Sequence, residues 1–150
     1  MTNQETAIKM RQHHAAMVAQ LRTLNDQLQN RSGQGDDIAQ TRSAIIEFAT
    51  NELLPHAAAE ELTIYRAAQN ADGFLVFVRS MVDEHKILRE IIDALKISTT
   101  NAAVISFSGA LTELFAWHAE KENRFIIDDF ARRDTIDLSA ILATMHEKLS

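Results

Sequence analysis

Four histidines of this 150-residue chain are spaced so that antiparallel helices would bring them to one level, and two of them precede a glutamate by four residues. The set comprises His14, His56, Glu60, His85, His118 and Glu122. Residues four apart share one helical face, so each His-xxx-Glu pair can reach a common centre. Imidazole nitrogens and carboxylate oxygens without sulfur suit iron, with manganese or zinc as alternatives. The spacing therefore predicts a metal site.

Three polar segments indicate why these histidines should share a level. In an antiparallel hairpin, two residues at the same height are equidistant from the turn, so their midpoint should fall on turn-forming residues. Glycine, asparagine, aspartate and serine close turns and break helices. The midpoints of successive histidines fall in or beside three such segments, which are residues 32–37 (SGQGDD), 69–73 (QNADG) and 98–101 (STTN).

The number of ligands predicts two ions, because four imidazoles and two carboxylates exceed a closed tetrahedral site. If Glu60 and Glu122 bridge and each ion takes two histidines, each ion has about four protein ligands, with a bridging oxo or hydroxo as a fifth. An exchangeable position then remains on each ion. Such positions on a redox-active pair can take dioxygen, peroxide or nitric oxide.

The elements that must position these residues are helices, because apolar residues recur at steps of three and four around each histidine. Helices are predicted over residues 4–30, 37–67, 74–97 and 101–131. Short connections make neighbouring helices antiparallel, so we expect an all-α, up-down-up-down four-helix bundle. On the fourth helix the apolar seam is expected to continue past Glu122 to Phe125. Trp117 and Met81 are expected in the core.

A short fifth helix is predicted over Thr135–Leu149, with Asp134 as its N-cap. It should cap the bundle end or pack against a partner. His146 is expected on its surface, and His13 is expected to be flanking or exposed because it lies outside the seam of the first helix. The chain is predicted to form one domain over residues 1–150, of which 134–150 are this additional segment.

Three further residues are candidates for the surroundings of the metals, namely Glu52, Glu61 and Tyr65. Glu52 precedes His56 by four residues and could accept its free N–H, or form a salt bridge on the helix surface. Tyr65 lies about 140° around the helix from Glu60, which favours packing in the core or at its rim over metal binding. Pro55 removes one backbone hydrogen bond and is expected to kink the helix just before His56.

Composition narrows the classes of function. The net charge of -6 argues against a nucleic-acid partner, and the absence of cysteine excludes thiol chemistry. The N-terminus is polar, and no stretch approaches the roughly 20 apolar residues of a membrane span. We therefore expect a soluble cytoplasmic protein with no membrane partner.

In this order the six residues resemble the pattern H, HxxxE, H, HxxxE of the hemerythrin-like HHE cation-binding domains, over residues 10–127. The resemblance implies a non-haem diiron centre with carboxylate and oxo bridges. The chain differs from the oxygen-carrying hemerythrins, which have a second histidine where Arg89 stands and a histidine followed five residues later by aspartate instead of HxxxE. Similar proteins include iron-responsive sensor domains, iron–sulfur repair proteins and actinobacterial hemerythrin-like proteins linked to nitric oxide or peroxide chemistry.

Three hypotheses of function follow. The first is a diiron protein that binds or reacts with a small diatomic or peroxide ligand; if it is an enzyme, it is a non-haem diiron oxidoreductase acting on peroxide or nitric oxide. The second is an iron- or oxygen-sensing or iron-holding module that acts through a protein partner. The third is a purely structural bundle. No flavin or nicotinamide fingerprint is present, so any electron donor must be external, and a monomer is favoured.

Overall fold

The computed structural model describes residues 1–150, which form helices joined by short turns, without strands. The helices are α1 (Asn3–Gly33), α2 (Ala39–Phe48), α3 (Leu54–Leu62), α4 (Ile64–Gln69), α5 (Leu75–Ile97), α6 (Asn101–Glu122), α7 (Asp128–Phe130) and α8 (Leu138–Leu149). Two π-helical turns, π1 (Ala49–Leu53) and π2 (Asn123–Ile127), join α2 to α3 and α6 to α7. The predicted all-helical bundle is confirmed.

The three predicted turns separate α1 from α2, α4 from α5, and α5 from α6. Gly35 and Gly73 have φ angles of 77° and 85°, in the left-handed region that glycine enters without a Cβ clash. Thr2 and Glu5 form a capping box at the start of α1, and the Thr100 side chain accepts the Ala103 N–H at the start of α6. Local sequence chemistry therefore sets these helix ends.

The predicted helix over 37–67 is interrupted twice. In π1 the Leu54 N–H donates to the Ala49 carbonyl, five residues back, directly before Pro55, which has no N–H to continue the ladder. A second break lies at Thr63, with φ -127° and ψ -88°, where the hydroxyl donates to the Ala59 carbonyl at 2.7 Å. The irregularity expected at Pro55 is present, and the break at Thr63 is an addition that gives α4 its own direction.

The seam predicted for the fourth helix is wrong beyond Glu122. Phe125 is 47% exposed, whereas Ile126 and Ile127 are buried. The cause is π2, because a turn that holds an additional residue rotates everything after it relative to a regular helix. Trp117 is also not in the core, being 63% exposed one position before the inward-facing residue 118.

The last helix begins later than predicted. Its N-cap is Asp137, whose side chain accepts the Ala140 N–H at 2.9 Å, so the assignment of Asp134 as N-cap is wrong. The reason is a contact distant in sequence. Asn3 donates to the Ile136 carbonyl at 2.7 Å and accepts the Leu138 N–H at 2.9 Å, which holds residues 136–138 against α1. Helix α8 packs on α1 and α3.

The core consists of two apolar clusters, one on each side of the level of the histidines. One cluster contains Met17, Leu53, Leu88 and Phe115, and the other contains Met10, Ile64, Met81 and Ile126. On each of the four bundle segments, a histidine separates a residue of one cluster from a residue of the other. None of the helices combines the length and apolar character that crossing a membrane requires.

Candidate metal centre

The six residues singled out by spacing converge in the bundle interior, and none is more than 5% exposed. The Nε2 atoms of the histidines face inward in two pairs. His14 Nε2 lies 3.2 Å from His56 Nε2, and His85 Nε2 lies 2.9 Å from His118 Nε2. Metal–nitrogen distances of about 2.0–2.1 Å place two ligands at right angles on one ion about 3 Å apart. Each histidine pair therefore has the separation of two ligands on a common ion.

The ligand atoms form two overlapping groups, within each of which all atoms lie within 4.8 Å of one another. One group is His14, His56 and Glu60, and the other is Glu60, His85, His118 and Glu122. Glu60 belongs to both groups. The cluster thus contains two groups of side chains that could each hold a metal ion, and they share the Glu60 carboxylate.

Both carboxylates face histidines of both groups. Oε1 of Glu60 is 2.7 Å from His56 Nε2, and its Oε2 is 3.5 Å from His85 Nε2. Oε1 of Glu122 is 3.3 Å from His118 Nε2, and its Oε2 is 3.6 Å from His14 Nε2. Each carboxylate therefore lies between the two histidine pairs, with one oxygen toward each pair.

Three histidines are oriented from outside by hydrogen bonds of 2.8 Å from Nδ1 to a side-chain oxygen. The pairs are His14 with Asn123, His85 with Glu61, and His118 with Glu84. Glu84 also pairs with Lys121. A hydrogen bond at Nδ1 fixes the tautomer that leaves Nε2 free to bind a metal. The candidate Glu61 thus contacts the site through His85.

The predicted contact between Glu52 and His56 is not formed. Glu52 is exposed, and Nδ1 of His56 is the one buried side-chain nitrogen or oxygen without a hydrogen-bond partner. Glu52 lies within π1, so the regular spacing that would place it beside His56 does not apply. His13 is exposed, as expected. Its ring nevertheless lies beside that of His56, with the two ring centroids 5.1 Å apart.

Tyr65 is 1% exposed, and its hydroxyl points into the cluster. The hydroxyl donates to Oε1 of Glu122 and lies 3.2 Å from His118 Nε2 and 3.4 Å from His85 Nε2. Core packing was expected, but the contact with the ligand set was not, because the break at Thr63 lies between Glu60 and this residue. Tyr65 therefore supplies an additional polar group at the centre.

The carboxylates favour protonated imidazoles in the metal-free cluster. Burial alone lowers the pKa of His14, but its hydrogen bond with Glu60 and the charge of Glu122 raise the pKa to about 9. For His118, burial again lowers the pKa, whereas the charge of and hydrogen bond with Glu122 raise it to about 10. Cations and protons therefore compete for these nitrogens.

The pKa values of the Glu60 carboxyl and the Tyr65 phenol are shifted in opposite directions. Burial raises the pKa of Glu60, but the charge of His56 and the hydrogen bond from His14 hold it well below its usual range. Burial and the negative charge of Glu122 raise the pKa of the Tyr65 phenol well above its usual range. The carboxylate is thus held ionised and the phenol protonated at neutral pH.

Three spaces adjoin the cluster, and one of them, between α1, α3 and α8, is lined by His14 and His56. An open groove of about 390 Å³ between α1 and α6 has His14 and Asn123 among its lining residues, together with the exposed Trp117. On the other side, an apolar space between Met10 and Ile126 has no room for a water molecule. Of the other two spaces, only the groove at His14 has room for solvent.

Glu84 and Asn123 contact the site but were not candidates from sequence. The one feature of the sequence that could have identified them is that each stands next to a predicted ligand. Glu84 precedes His85, and Asn123 follows Glu122. A residue next to an inward-facing ligand is rotated by about 100°, toward the neighbouring helix. Which neighbour it meets depends on the packing of helices.

Three observations indicate that the histidine and glutamate side chains of the cluster suit divalent cations. All four Nε2 atoms point inward, three Nδ1 atoms are held from outside, and two buried carboxylates have no lysine or arginine partner within 4.0 Å. Buried charged groups in natural proteins are paired or bind metals. The protein is therefore a helical bundle with a buried histidine and glutamate cluster that can hold cations.

Comparison with known protein families shows which family this metal-binding helical bundle belongs to. Residues 7–124 match the family described as hemerythrin HHE cation binding domain. The chain belongs to this family, because the match covers most of its length. Comparisons with curated proteins and with solved structures found no match.

Proposed function

We propose that this protein is a non-haem diiron protein that binds or reacts with small oxidants, namely dioxygen, hydrogen peroxide or nitric oxide. The observation that carries the proposal is that Glu60 belongs to two adjacent ligand groups, each of which contains a pair of inward-facing histidines. A single ion would leave one of these pairs without a cation. Two ions satisfy all six side chains.

In this proposal His14 and His56 bind one ion, His85 and His118 bind the other, and Glu60 and Glu122 bridge them. The pairing is supported by the Nε2 separations of 3.2 and 2.9 Å within the two pairs. The bridging role is supported by the two oxygens of each carboxylate facing different pairs. No other cluster of histidine and acidic residues in the chain has this geometry.

The cofactor we propose is two iron ions with a bridging oxo or hydroxo, and manganese or zinc would also fit the nitrogen and oxygen donors. Iron supplies one-electron redox chemistry and an open position for a small ligand. No flavin or nicotinamide site is evident in the sequence, so the electron donor is external.

Side chains around the proposed diiron centre would control proton supply and the access of water and small ligands. Tyr65 is a buried proton donor beside His85 and His118, and the raised pKa of its phenol keeps the proton in place at neutral pH. The apolar space at Met10 and Ile126 excludes water from one side of the cluster. The groove at His14 and Asn123 is the route that we assign to a small ligand.

The bundle is proposed to have up-down-up-down topology and to form one domain over residues 1–150. Two contacts support antiparallel neighbours. Arg42, early in α2, donates to the Leu95 carbonyl near the end of α5, and Ser108, early in α6, donates to Asn25 in the last third of α1. We further propose a cytoplasmic monomer with no nucleic-acid or membrane partner. The net charge of -6 argues against the nucleic-acid partner.

A second candidate is an iron- or oxygen-sensing or iron-holding module that acts through a protein partner. The observation that favours it is the packing of α8 on α1 and α3, which carry His14 and His56. Hydrogen exchange of residues 134–150 with and without iron separates the two functions. Ordering of this segment by iron supports sensing, and indifference supports redox chemistry.

The proposal is tested by anaerobic iron loading, reduction and separate exposure to dioxygen, hydrogen peroxide and nitric oxide, followed optically. We expect two irons per chain and an absorption change with at least one oxidant. In a His118→Ala variant we expect lower iron content and no oxo-to-iron absorption. An unchanged iron content and spectrum in this variant would contradict the assignment.

A further inference from the structure

Each residue that orients a histidine of the site is the sequence neighbour of a proposed metal ligand. In each observed case, the residue next to a proposed ligand in sequence accepts the Nδ1–H of a histidine on another helix. Glu61 follows Glu60 on α3 and holds His85 of α5; Glu84 precedes His85 on α5 and holds His118 of α6; Asn123 follows Glu122 and holds His14 of α1. The sequence of contacts thus runs from α3 to α5, to α6, and on to α1.

One contact is missing from this circuit, the one from α1 to α3. Its acceptor should lie next to His14, and its donor should be His56 Nδ1, which is the buried atom without a partner. We propose that His13 is this fourth positioning residue and accepts the hydrogen bond from His56 Nδ1 when the metal occupies Nε2. The inference rests on the proposed diiron function.

The separation of the two rings permits this hydrogen bond. The ring centroids of His13 and His56 are 5.1 Å apart. In this structure the pair His14 and His56, with centroids 5.3 Å apart, has its Nε2 atoms at 3.2 Å. A ring separation of this size therefore permits a nitrogen–nitrogen hydrogen bond once the His13 ring turns a nitrogen toward Nδ1.

The surroundings leave room for that rotation, and they include one rival acceptor, His146. A cavity of about 150 Å³ between α1, α3 and α8 is lined by His13 and His56 and by Leu142, Met145 and His146 of α8. Nδ1 itself is inaccessible to solvent, so a neighbouring side chain and not bulk water must satisfy it. Of the side chains lining this cavity, only His13 and His14 have rings paired with the ring of His56, and His14 contacts Nε2 on the opposite side.

The hydrogen bond would give His56 the orientation that the other three histidines already have. A proton held at Nδ1 leaves the lone pair of Nε2 for the metal and raises the basicity of the ligand. His13 then acts through His56 without touching the metal.

The test compares His13→Ala, His13→Gln and His146→Ala with the unaltered protein at pH 8. Iron(II) affinity is measured anaerobically by competition with a chelator, and the tautomer of His56 is measured by nitrogen NMR of the zinc-loaded protein. Loss of an outer partner typically lowers metal affinity by about 10- to 100-fold. We expect such a loss in His13→Ala, recovery in His13→Gln because the amide oxygen accepts the same proton, and a change within about twofold in His146→Ala.

The NMR measurement also works on the unaltered protein, where a His56 Nδ1–H coupled to a His13 nitrogen is expected. Wild-type affinity in His13→Ala, or a loss confined to His146→Ala, would overturn the inference and leave the diiron proposal intact. Failure of the unaltered protein to bind two ions per chain would instead refute the proposed function.

Discussion

At the scale of residues, the site is a set of buried polar groups that would destabilise an apolar core unless each had a hydrogen-bond, ionic or metal partner. Four imidazoles and two carboxylates lie between two apolar clusters, and each carboxylate is surrounded by imidazole nitrogens. Without cations, protons on His14 and His118 compensate the carboxylates, which is why the pKa of each imidazole is raised. Divalent ions would replace these protons at the same nitrogens.

The outer hydrogen bonds should contribute to metal affinity. We predict that Glu84→Ala lowers iron affinity by about 10- to 100-fold, because His118 loses the acceptor that orients its ring. Glu90→Ala is the matched control, since Glu90 is an exposed acid on the same helix, α5. Chelator competition measures both variants, and equal affinities would show that the contact with His118 has no influence on binding.

Tyr65 should matter for reactivity and not for metal content. In Tyr65→Phe the ring remains in the core, but the donor beside Glu122 and His118 is lost. We predict two irons per chain as before and a reaction with the preferred oxidant that is slower by about 100-fold, the lower end of general acid effects. Stopped-flow absorption measures the rate; an unchanged rate with loss of iron would make Tyr65 a structural residue only.

At the scale of elements, hydrophobic periodicity and turn chemistry predicted where the bundle segments begin and end. They also predicted the irregularity at Pro55, but not the break at Thr63 or the π-helical turn π2 in the fourth segment. Pro55 marks π1 in the sequence, but residues 123–127 (NRFII) of π2 have no comparable signal. The choice between an α-helical and a π-helical turn there depends on packing, which buries Ile126 and Ile127 and leaves Phe125 outside.

The start of α8 offers a sharp test at this scale. Asp137→Ala removes the side chain that accepts the Ala140 N–H and should lower the free energy of unfolding by about 1 kcal/mol. Asp134→Ala is the control and should change it by less than about 0.5 kcal/mol, as surface substitutions do. Urea denaturation of both variants measures the difference. The opposite ranking would mean that the helix begins at Asp134.

At the scale of the whole molecule, the sequence predicted the level of the site because helical period and turn position together fix which residues share a height. Around that level it named Glu61 and Tyr65 as candidates, but it missed Glu84 and Asn123 and did not predict that Tyr65 contacts the ligands. Glu84, Asn123 and Tyr65 reach the site through the rotation of neighbouring helices and the break at Thr63, which depend on contacts between segments distant in sequence. Glu52 failed as a candidate for the same reason, since π1 turns it to solvent.

The stability of the metal-free protein should depend on pH with a definite sign. The pKa values of His14 and His118, about 9 and about 10, exceed the ordinary imidazole value of 6.5, so the folded state binds these protons more tightly than the unfolded state. Their stabilisation is complete below pH 6.5 and is lost as pH rises through 9 to 10.

We therefore predict that the free energy of unfolding of the metal-free protein falls between pH 7 and pH 10. Each histidine contributes at most about 1.4 kcal/mol per pH unit. The metal-loaded protein should show a smaller dependence, because cations have replaced the protons. Urea denaturation across this range measures both forms, and a metal-free protein that gains stability toward pH 10 would contradict the assigned protonation.

The central claim is that six side chains hold two ions in the bundle interior. The most direct measurement is the anomalous diffraction of crystals of the iron-loaded protein, recorded at the iron absorption edge. We predict two peaks on the order of 3.5 Å apart, one beside His14 and His56 and the other beside His85 and His118, with Glu60 and Glu122 between them. A single peak, or iron bound only at the protein surface, would contradict the account.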